Sequence, residues 1–162
     1  MTDGDSGAKP RPTVGSQPDM WEYGTSKAAA WDCPATVQCW MKDVESHPRR
    51  NDLLETMRRW EDVRARRWLT PAQKEMLKDP ARQFHLYRNE RGAYELHEIE
   101  MLTSEDAAGL RAFLFERDGC RVIAYWHTSG AGDFTLPLGK TEVRNGLRRI
   151  AVPNAGWARV SW

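Results

Sequence analysis

The sequence predicts an α+β protein with a helical segment in its first half and an antiparallel β-sandwich in its second half. Two observations predict this class. Apolar residues recur at helical spacing between positions 50 and 78, and from position 83 they alternate along short runs separated by turn residues. We expect a disordered tail over residues 1–19, a helical segment over residues 20–80 and a β-sandwich domain over residues 81–162.

Composition excludes several functional classes. The 162 residues carry a net charge of +1, so no overall field attracts nucleic acid or an anionic membrane. No apolar run reaches the length of a membrane span. Cys33, Cys39 and Cys120 form an odd set without metal-site spacing, and we expect reduced thiols in a cytoplasmic protein. Cys33 and Cys39 are expected to be buried. Nucleic-acid partners, membrane partners and cofactors are not expected.

The first 40 residues divide into two parts. Residues 1–19 are Gly, Pro, Ser and charge, and they predict disorder because little apolar surface is present to offset the entropy of ordering. Residues 20–40 contain four aromatic side chains. Within them Lys27–Ala30 predicts a short helical turn, capped by Thr25 or Ser26 and ended by Pro34.

Two helices are predicted next. The longer one follows Pro48, with Asn51 or Asp52 as its cap. Its expected inner stripe is Leu53, Leu54, Met57, Trp60, Val63 and Arg64. The second helix has Thr70 as N-cap and Pro71 at its first position, and Gln73 completes a capping box.

Alternation from residue 84 predicts a hairpin. Its strands run over 84–88 and 93–100, and the turn between them ends at Gly92, as in a type I turn with a glycine bulge. This register places Leu86 opposite Leu96. It also places His85 opposite His97 on an outer face that we expect to be solvated and to carry Tyr87.

Residues 112–138 predict three consecutive antiparallel strands. Asp118 and Gly119 suit a two-residue type I′ turn, which needs positive φ at both positions. Residues 129–132 form the second break. Further strands are expected over 147–152 and 157–162.

Glu22 and Asp32 are the candidate catalytic residues. Two carboxylates beside aromatic rings are typical of glycoside hydrolysis, in which one acts as acid and the other as base or nucleophile. The rings expected to stack on a sugar are those of Trp21, Tyr23 and Trp31. The alternative is that both acids only cap a helix or form salt bridges. A metal at His85 and His97 is not expected, because a third ligand is missing.

Two stretches resemble a known family. The run AYWHTSGAGDFTLPL within Phe113–Leu138 resembles the C-terminal β-sandwich domain that follows the catalytic barrel of many (β/α)8 glycoside hydrolases. The earlier runs MWEYGTSKAAAWDCPATVQ and RRWEDVRARRWLTPAQKEMLKDP resemble the end of such a barrel and its bridge into the sandwich. The resemblance spans residues 20–152.

The resemblance implies a C-terminal fragment or accessory portion of a carbohydrate-active protein. A complete barrel needs about 250 residues, and only about 60 ordered residues precede the first hairpin, so most catalytic acids would be missing. We expect the chain not to be catalytic alone. Its expected partners are the missing barrel part on another chain, a homo-oligomeric copy, or a carbohydrate. The tryptophans expected to face the absent barrel are Trp21, Trp31, Trp40, Trp60 and Trp68.

Two other hypotheses remain open. The chain is a carbohydrate-binding β-sandwich module, with Tyr87, Trp157 and Trp162 as exposed stacking residues. Alternatively, it is a small protein-interaction domain unrelated to sugars, in which helices pack on the sheet and the tryptophans complete one core.

Overall fold

The computed structural model describes residues 15–102, 110–128, 133–138, 141–145, 148–152 and 156–161. These residues begin with four helices, which are α1 (Pro18–Ala30), α2 (Met41–Ser46), α3 (Arg50–Ala65) and α4 (Pro71–Lys78). Residues 1–14 of the predicted tail, the predicted loop over 103–109 and the break over 129–132 lie outside the described residues.

Eight strands follow the helices in the described part of the chain. They are β1 (Gln83–Arg88), β2 (Tyr94–Met101), β3 (Leu110–Arg117), β4 (Cys120–His127), β5 (Asp133–Leu138), β6 (Thr141–Asn145), β7 (Arg148–Val152) and β8 (Gly156–Ser161). One sheet has the order β1-β2-β3-β4-β6-β7, and β5 pairs with β8 in a second sheet. The predicted α+β class is confirmed, whereas the sandwich and the domain division stay predictions.

The three-strand prediction for residues 112–138 is half correct. Strands β3 and β4 pair antiparallel as expected. The third strand does not pair with β4, because β6 occupies that edge of β4 in parallel orientation. Strand β5 pairs antiparallel with β8 instead. Turn residues therefore located the strand, but its pairing depends on β6 and β8, which follow it in the chain.

Local turn chemistry is confirmed in both hairpins. His85 pairs with His97 and Leu86 with Leu96, which is the predicted register. Gly92 has a φ of 77°, as the glycine bulge requires. At the second hairpin the φ angles of Asp118 and Gly119 are 52° and 70°.

Helix α1 begins earlier than the sequence predicted. The tail was expected to reach residue 19, but Gln17 is buried and its Oε1 accepts a hydrogen bond from Trp126 Nε1 at 3.0 Å. Thr25 and Ser26 were expected to cap a turn, yet both lie inside α1. Their hydroxyls donate to the carbonyls of Trp21 and Tyr23 at 2.8 Å each, so they are not caps.

The capping box of α4 is confirmed, whereas the predicted cap of α3 is wrong. Thr70 Oγ1 accepts from the Gln73 backbone N–H at 3.2 Å, and Gln73 Oε1 accepts from the Thr70 backbone N–H at 2.9 Å. Helix α3 starts one residue before Asn51, so Asn51 and Asp52 lie within its first turn. Leu54 of the expected inner stripe is exposed.

One apolar core joins the helices to the first strand. Trp60 and Val63 of α3 have no exposed surface and pack with residues from α1, α4 and β1. The buried members are Ala29, Ala30, Trp60, Val63, Leu69, Leu77, Phe84 and Leu86. Because side chains alternate along a strand, Phe84 and Leu86 lie on one face of β1 and His85 and Tyr87 on the other.

Alanine substitutions at two glycines should change the free energy of unfolding in opposite directions. Gly24 lies in α1 and an added Cβ meets nothing within 4 Å, so Gly24→Ala should stabilise the protein by about 0.5–1 kcal/mol. Gly92→Ala should destabilise it by about 1 kcal/mol, because alanine resists a φ of 77°. Urea unfolding of both variants measures this, and equal signs would contradict the assigned geometry.

Candidate functional site

Glu22 is a buried carboxylate on α1 that contacts two other elements. Its Oε1 accepts hydrogen bonds from the Leu86 backbone N–H at 2.8 Å and from Trp60 Nε1 at 3.1 Å. Its Oε2 lies 2.8 Å from His85 Nδ1. One side chain therefore binds α3 and β1 to α1.

Burial and hydrogen bonding act oppositely on the pKa of Glu22. Desolvation by burial raises the pKa. A larger effect in the opposite direction comes from the charge and hydrogen bond of His85 and from the hydrogen bonds of Leu86 and Trp60. The resulting pKa lies below the ordinary value of 4.5. An ionised carboxylate with these donors has no proton to give as a general acid at neutral pH.

Asp32 lies apart from Glu22. It is exposed, follows the end of α1 and binds Lys74 Nζ at 2.5 and 2.6 Å. The hydrogen bond from Lys74 lowers the pKa of Asp32. Glu22 and Ala30, the last residue of α1, are eight residues apart, or about 12 Å along the helix at 1.5 Å per residue. Asp32 lies two residues beyond that end, whereas glycosidase carboxyls lie roughly 5–9.5 Å apart. The structure does not bring the two candidate acids together.

The three candidate stacking residues also occupy different places. Trp21 is half-buried and faces α3, whereas the Tyr23 hydroxyl donates to the Pro80 carbonyl at 3.1 Å. Trp31 is 64% exposed, and Lys78 Nζ lies 4.3 Å from its ring centroid. These three rings do not form one sugar-binding platform.

The histidine face of the first hairpin is half-buried, whereas the sequence predicted a solvated face. Phe115 packs against it, with ring centroids 5.6 Å from His85 and 5.0 Å from His97. Tyr87 is buried there and is no exposed stacking residue. The reason is that β3 continues the sheet and supplies Phe115. Trp162 and the side chain of Trp157 lie outside what the structure describes.

Metal-ligating groups do not cluster in the described ranges. These residues contain no group of three or more His, Cys, Asp or Glu that could hold a metal ion. Glu95, the acid nearest the two histidines, accepts hydrogen bonds from Arg117 Nε at 2.7 Å and from His97 at 3.2 Å. The hydrogen bond from Arg117 is the main cause that lowers its pKa to about 2.

Burial of the thiols and tryptophans differs from the expectations. Cys33 and Cys39 are exposed, so their predicted burial is wrong, because the segment between α1 and α2 has no second layer over it in the described structure. Trp60 is fully buried and Trp40 is 76% exposed. Trp21 and Trp68 are half-buried. The tryptophans therefore divide between the core and the surface.

An apolar groove of about 480 Å³ lies between α1, the 36–39 segment, α2 and the start of α3. We call it the α1–α3 groove. Its main apolar lining residues are Trp21, Val37, Val44, Leu53 and Leu54. Exposed large side chains beside them in sequence are Met20, Trp40 and Met41. The groove has no signature in the sequence, because residues 33–40 show no periodicity.

A second cavity of about 260 Å³ lies between α3 and the six-stranded sheet. We call it the α3–sheet cavity. Its aromatic side is formed by His85, Tyr87, Phe115 and Trp126, and its charged side by Arg49, Asp52, Glu55 and Arg59 of α3. The sequence gives no signal for it, because residues more than 70 positions apart meet there.

Replacing Glu22 tests the buried network. Glu22→Gln should destabilise the protein by about 2 kcal/mol at pH 7, because the amide oxygen is a neutral acceptor and the charge-assisted hydrogen bonds to the carboxylate are weakened. The folded pKa of Glu22 is depressed, so this contribution is complete above 4.5 and disappears as the pH falls through the folded pKa. Urea unfolding of the wild type and of Glu22→Gln at neutral pH and at about pH 3 should show that the difference between their free energies of unfolding becomes smaller at acid pH.

Glu98→Gln is the matched control for that experiment. Glu98 is an exposed carboxylate whose Oε2 lies 2.7 Å from Arg82, and its loss should cost less than about 1 kcal/mol. A wild-type advantage over Glu22→Gln that grew toward acid pH would contradict the assigned protonation state.

Comparisons with known proteins identify no relative of this chain. No protein-family model, no curated protein and no solved structure matches the chain. Among the described residues, no helix combines the length and apolar character needed to cross a bilayer. Functional inference therefore depends on the two cavities and on the Glu22 network.

Proposed function

We propose that the chain is an accessory, non-catalytic portion of a glycoside-hydrolase-like carbohydrate-active protein, which binds a larger protein body through the α1–α3 groove. The observation that carries this proposal is the set of exposed large apolar side chains around the groove. The proposed partner is the barrel part of such a protein on another chain. The free cysteines support a cytoplasmic setting.

Several large apolar side chains in and beside the α1–α3 groove are exposed. Trp40 is 76% exposed and Met41 is 68% exposed, and Met20, Leu54 and Val37 are exposed by 54%, 49% and 45%. Contiguous exposed apolar surface marks interaction sites in soluble proteins. Burial of this surface by a partner gains roughly 25 cal/mol per Å², which favours a docked state.

The groove suits a protein partner better than a sugar. Its lining combines apolar side chains such as Leu53 and Leu54 with polar ones such as Asp43, so it is the exposed apolar side chains beside the groove that favour a protein partner. Trp40 follows the groove-lining Cys39 and is exposed, and tryptophan is enriched among the residues that anchor protein interfaces. The satisfied hydrogen bonds of Glu22 and its distance from Asp32 support an accessory role rather than a catalytic one.

A second candidate is a protein-interaction domain unrelated to sugars. The observation in its favour is the shared core, in which Trp60 of α3 packs with Phe84 and Leu86 of β1. If the helices served only to pack against a barrel on another chain, they would not be expected to share a core with β1. The two candidates differ in the identity of the partner.

A photo-crosslinking experiment tests the docking face. A photoreactive amino acid replaces Met41, and the full chain is irradiated in the organism that encodes it. We expect crosslinks to a (β/α)8 glycoside-hydrolase barrel, identified by mass spectrometry. Crosslinks only to an unrelated protein would favour the second candidate, and crosslinks only between copies of the chain, or none, would reject a barrel partner.

Trp40→Asp and Trp31→Asp form a matched pair for this test. Both residues are exposed tryptophans, but only Trp40 adjoins the groove. Trp40→Asp should reduce the crosslink yield about 10-fold or more, because a buried aromatic anchor is typically worth 2 kcal/mol or more. Trp31→Asp should leave the yield unchanged, and equal losses would place the interface elsewhere.

A further inference from the structure

We propose that the α3–sheet cavity binds a phosphate group, either as free phosphate or as the phosphate monoester of a small molecule. This site is separate from the α1–α3 groove, so the inference goes beyond the docking function and does not depend on it. The cavity volume of about 260 Å³ lies below the roughly 300–1,000 Å³ of sites for drug-sized ligands. It therefore suits one small anion.

Cations outnumber carboxylates around the cavity. Its charged lining residues are Arg49, Arg59, Arg88, Asp52 and Glu55. The Glu55 carboxylate is shared, because it accepts from Arg58 Nε at 2.6 Å and from Arg59 Nε at 2.7 Å. Four guanidinium groups in or beside the cavity therefore stand against two carboxylates, and this excess attracts an anion.

The guanidinium groups of Arg49 and Arg59 converge along the α3 wall. Arg49 reaches forward, where its Nε lies 3.3 Å from Asp52, and Arg59 reaches back to Glu55. Asp52 and Glu55 are three residues apart, so their Cβ atoms lie about 5–6 Å apart on one helix face. The two arginines are ten positions apart in the sequence, yet their charged ends are separated by about one helical turn.

The converging cations are more buried than their carboxylates. The side chains of Arg49 and Arg59 are 18% and 26% exposed, whereas those of Asp52 and Glu55 are 40% and 36% exposed. Water therefore screens the carboxylates more strongly. Arg49 Nε is also a buried donor to which the described residues supply no well-oriented acceptor. A ligand oxygen would offset the cost of that unmade hydrogen bond.

Within the described structure, no other carboxylate opposes an anion in the cavity. Only Asp52 and Glu55 are acidic among the described residues that line it. Glu22 lies behind His85, and protein donors already bind both of its oxygens. Arg88 also lines the cavity, is exposed and pairs with no carboxylate of the described residues. It adds a third guanidinium group for the ligand.

A phosphate group fits two converging guanidinium groups better than a carboxylate does. Each guanidinium presents a planar fork of N–H donors. A carboxylate has two oxygens and fills one fork, whereas the three or more oxygens of a phosphate group can accept from two forks at once. Arg59 uses its Nε for Glu55, so its terminal N–H groups remain for the ligand.

Titration of the ¹⁵N-labelled full chain tests the proposal. Inorganic phosphate, methyl phosphate and acetate are added separately at neutral pH and constant ionic strength, because salt screens charge interactions. For at least one of the two phosphates we expect saturable shifts at the Asp52 and Arg59 amides and at the Trp126 indole. The expected Kd is about 1 mM or lower, and about 10-fold below that of acetate.

The same titrations distinguish the source of the phosphate group and can reject the site. Tighter binding of methyl phosphate would identify a monoester as the ligand, and tighter binding of inorganic phosphate would identify the free ion. No saturable shift with either phosphate would overturn the proposal, and so would equal affinity for acetate.

Variants of the arginines locate the ligand. Arg49→Gln and Arg59→Gln should each weaken phosphate binding by about 10-fold, because charge-assisted hydrogen bonds are lost. Arg66→Gln is the matched control, since Arg66 pairs with Asp62 at 2.8 Å at the end of α3 and does not line the cavity. Amide spectra verify that each variant is folded. Unchanged binding in both arginine variants would reject this site.

Asp52→Asn tests the sign of the charge effect. It removes a carboxylate from the wall and keeps the shape of the side chain, so phosphate binding should become about 3-fold tighter. A residue with only a structural role would not strengthen binding when it is replaced. Weaker phosphate binding by Asp52→Asn would show that the ligand needs an acceptor at this position, and it would contradict an anion site.

Discussion

The ionised Glu22 carboxylate is the contact on which the arrangement of helices and sheet depends. It binds the indole of Trp60, the backbone of Leu86 and the ring of His85. Burying a charge is costly unless hydrogen bonds compensate it, and here three donors do so. Removing the acceptor strands two buried N–H groups in addition to the imidazole. The helices therefore keep a fixed position on β1.

Different faces of helix α3 contribute to the core, to the α1–α3 groove and to the α3–sheet cavity. Trp60 and Val63 belong to the core, Leu53 and Leu54 line the apolar groove, and Arg49 and its ion-paired neighbours line the cavity. Since the Glu22 contact to Trp60 fixes the rotation of α3, it also fixes what each opening presents. One helix thus contributes to the core, to an apolar groove and to a charged cavity wall.

Features that depend on neighbouring residues could be predicted from the sequence. The capping box at Thr70, the bulge at Gly92 and the register of the first hairpin each follow from residues within a few positions. Features set by distant residues could not. The parallel pairing of β4 with β6 and the partners of Glu22, which lie 38 to 64 positions away, depend on tertiary packing. The exposure of Trp40 likewise has no local signal.

The position of β1 at one end of the six-stranded sheet has a consequence for self-association. An unprotected end strand can template pairing with another molecule, and growth by that route leads to fibrils. At Leu86 the outward backbone N–H is already taken by a carboxylate from a helix of the same chain. An incoming strand would have to displace a buried ion to pair there. The interaction that orders the interior thus also guards this molecule against polymerising through its first strand.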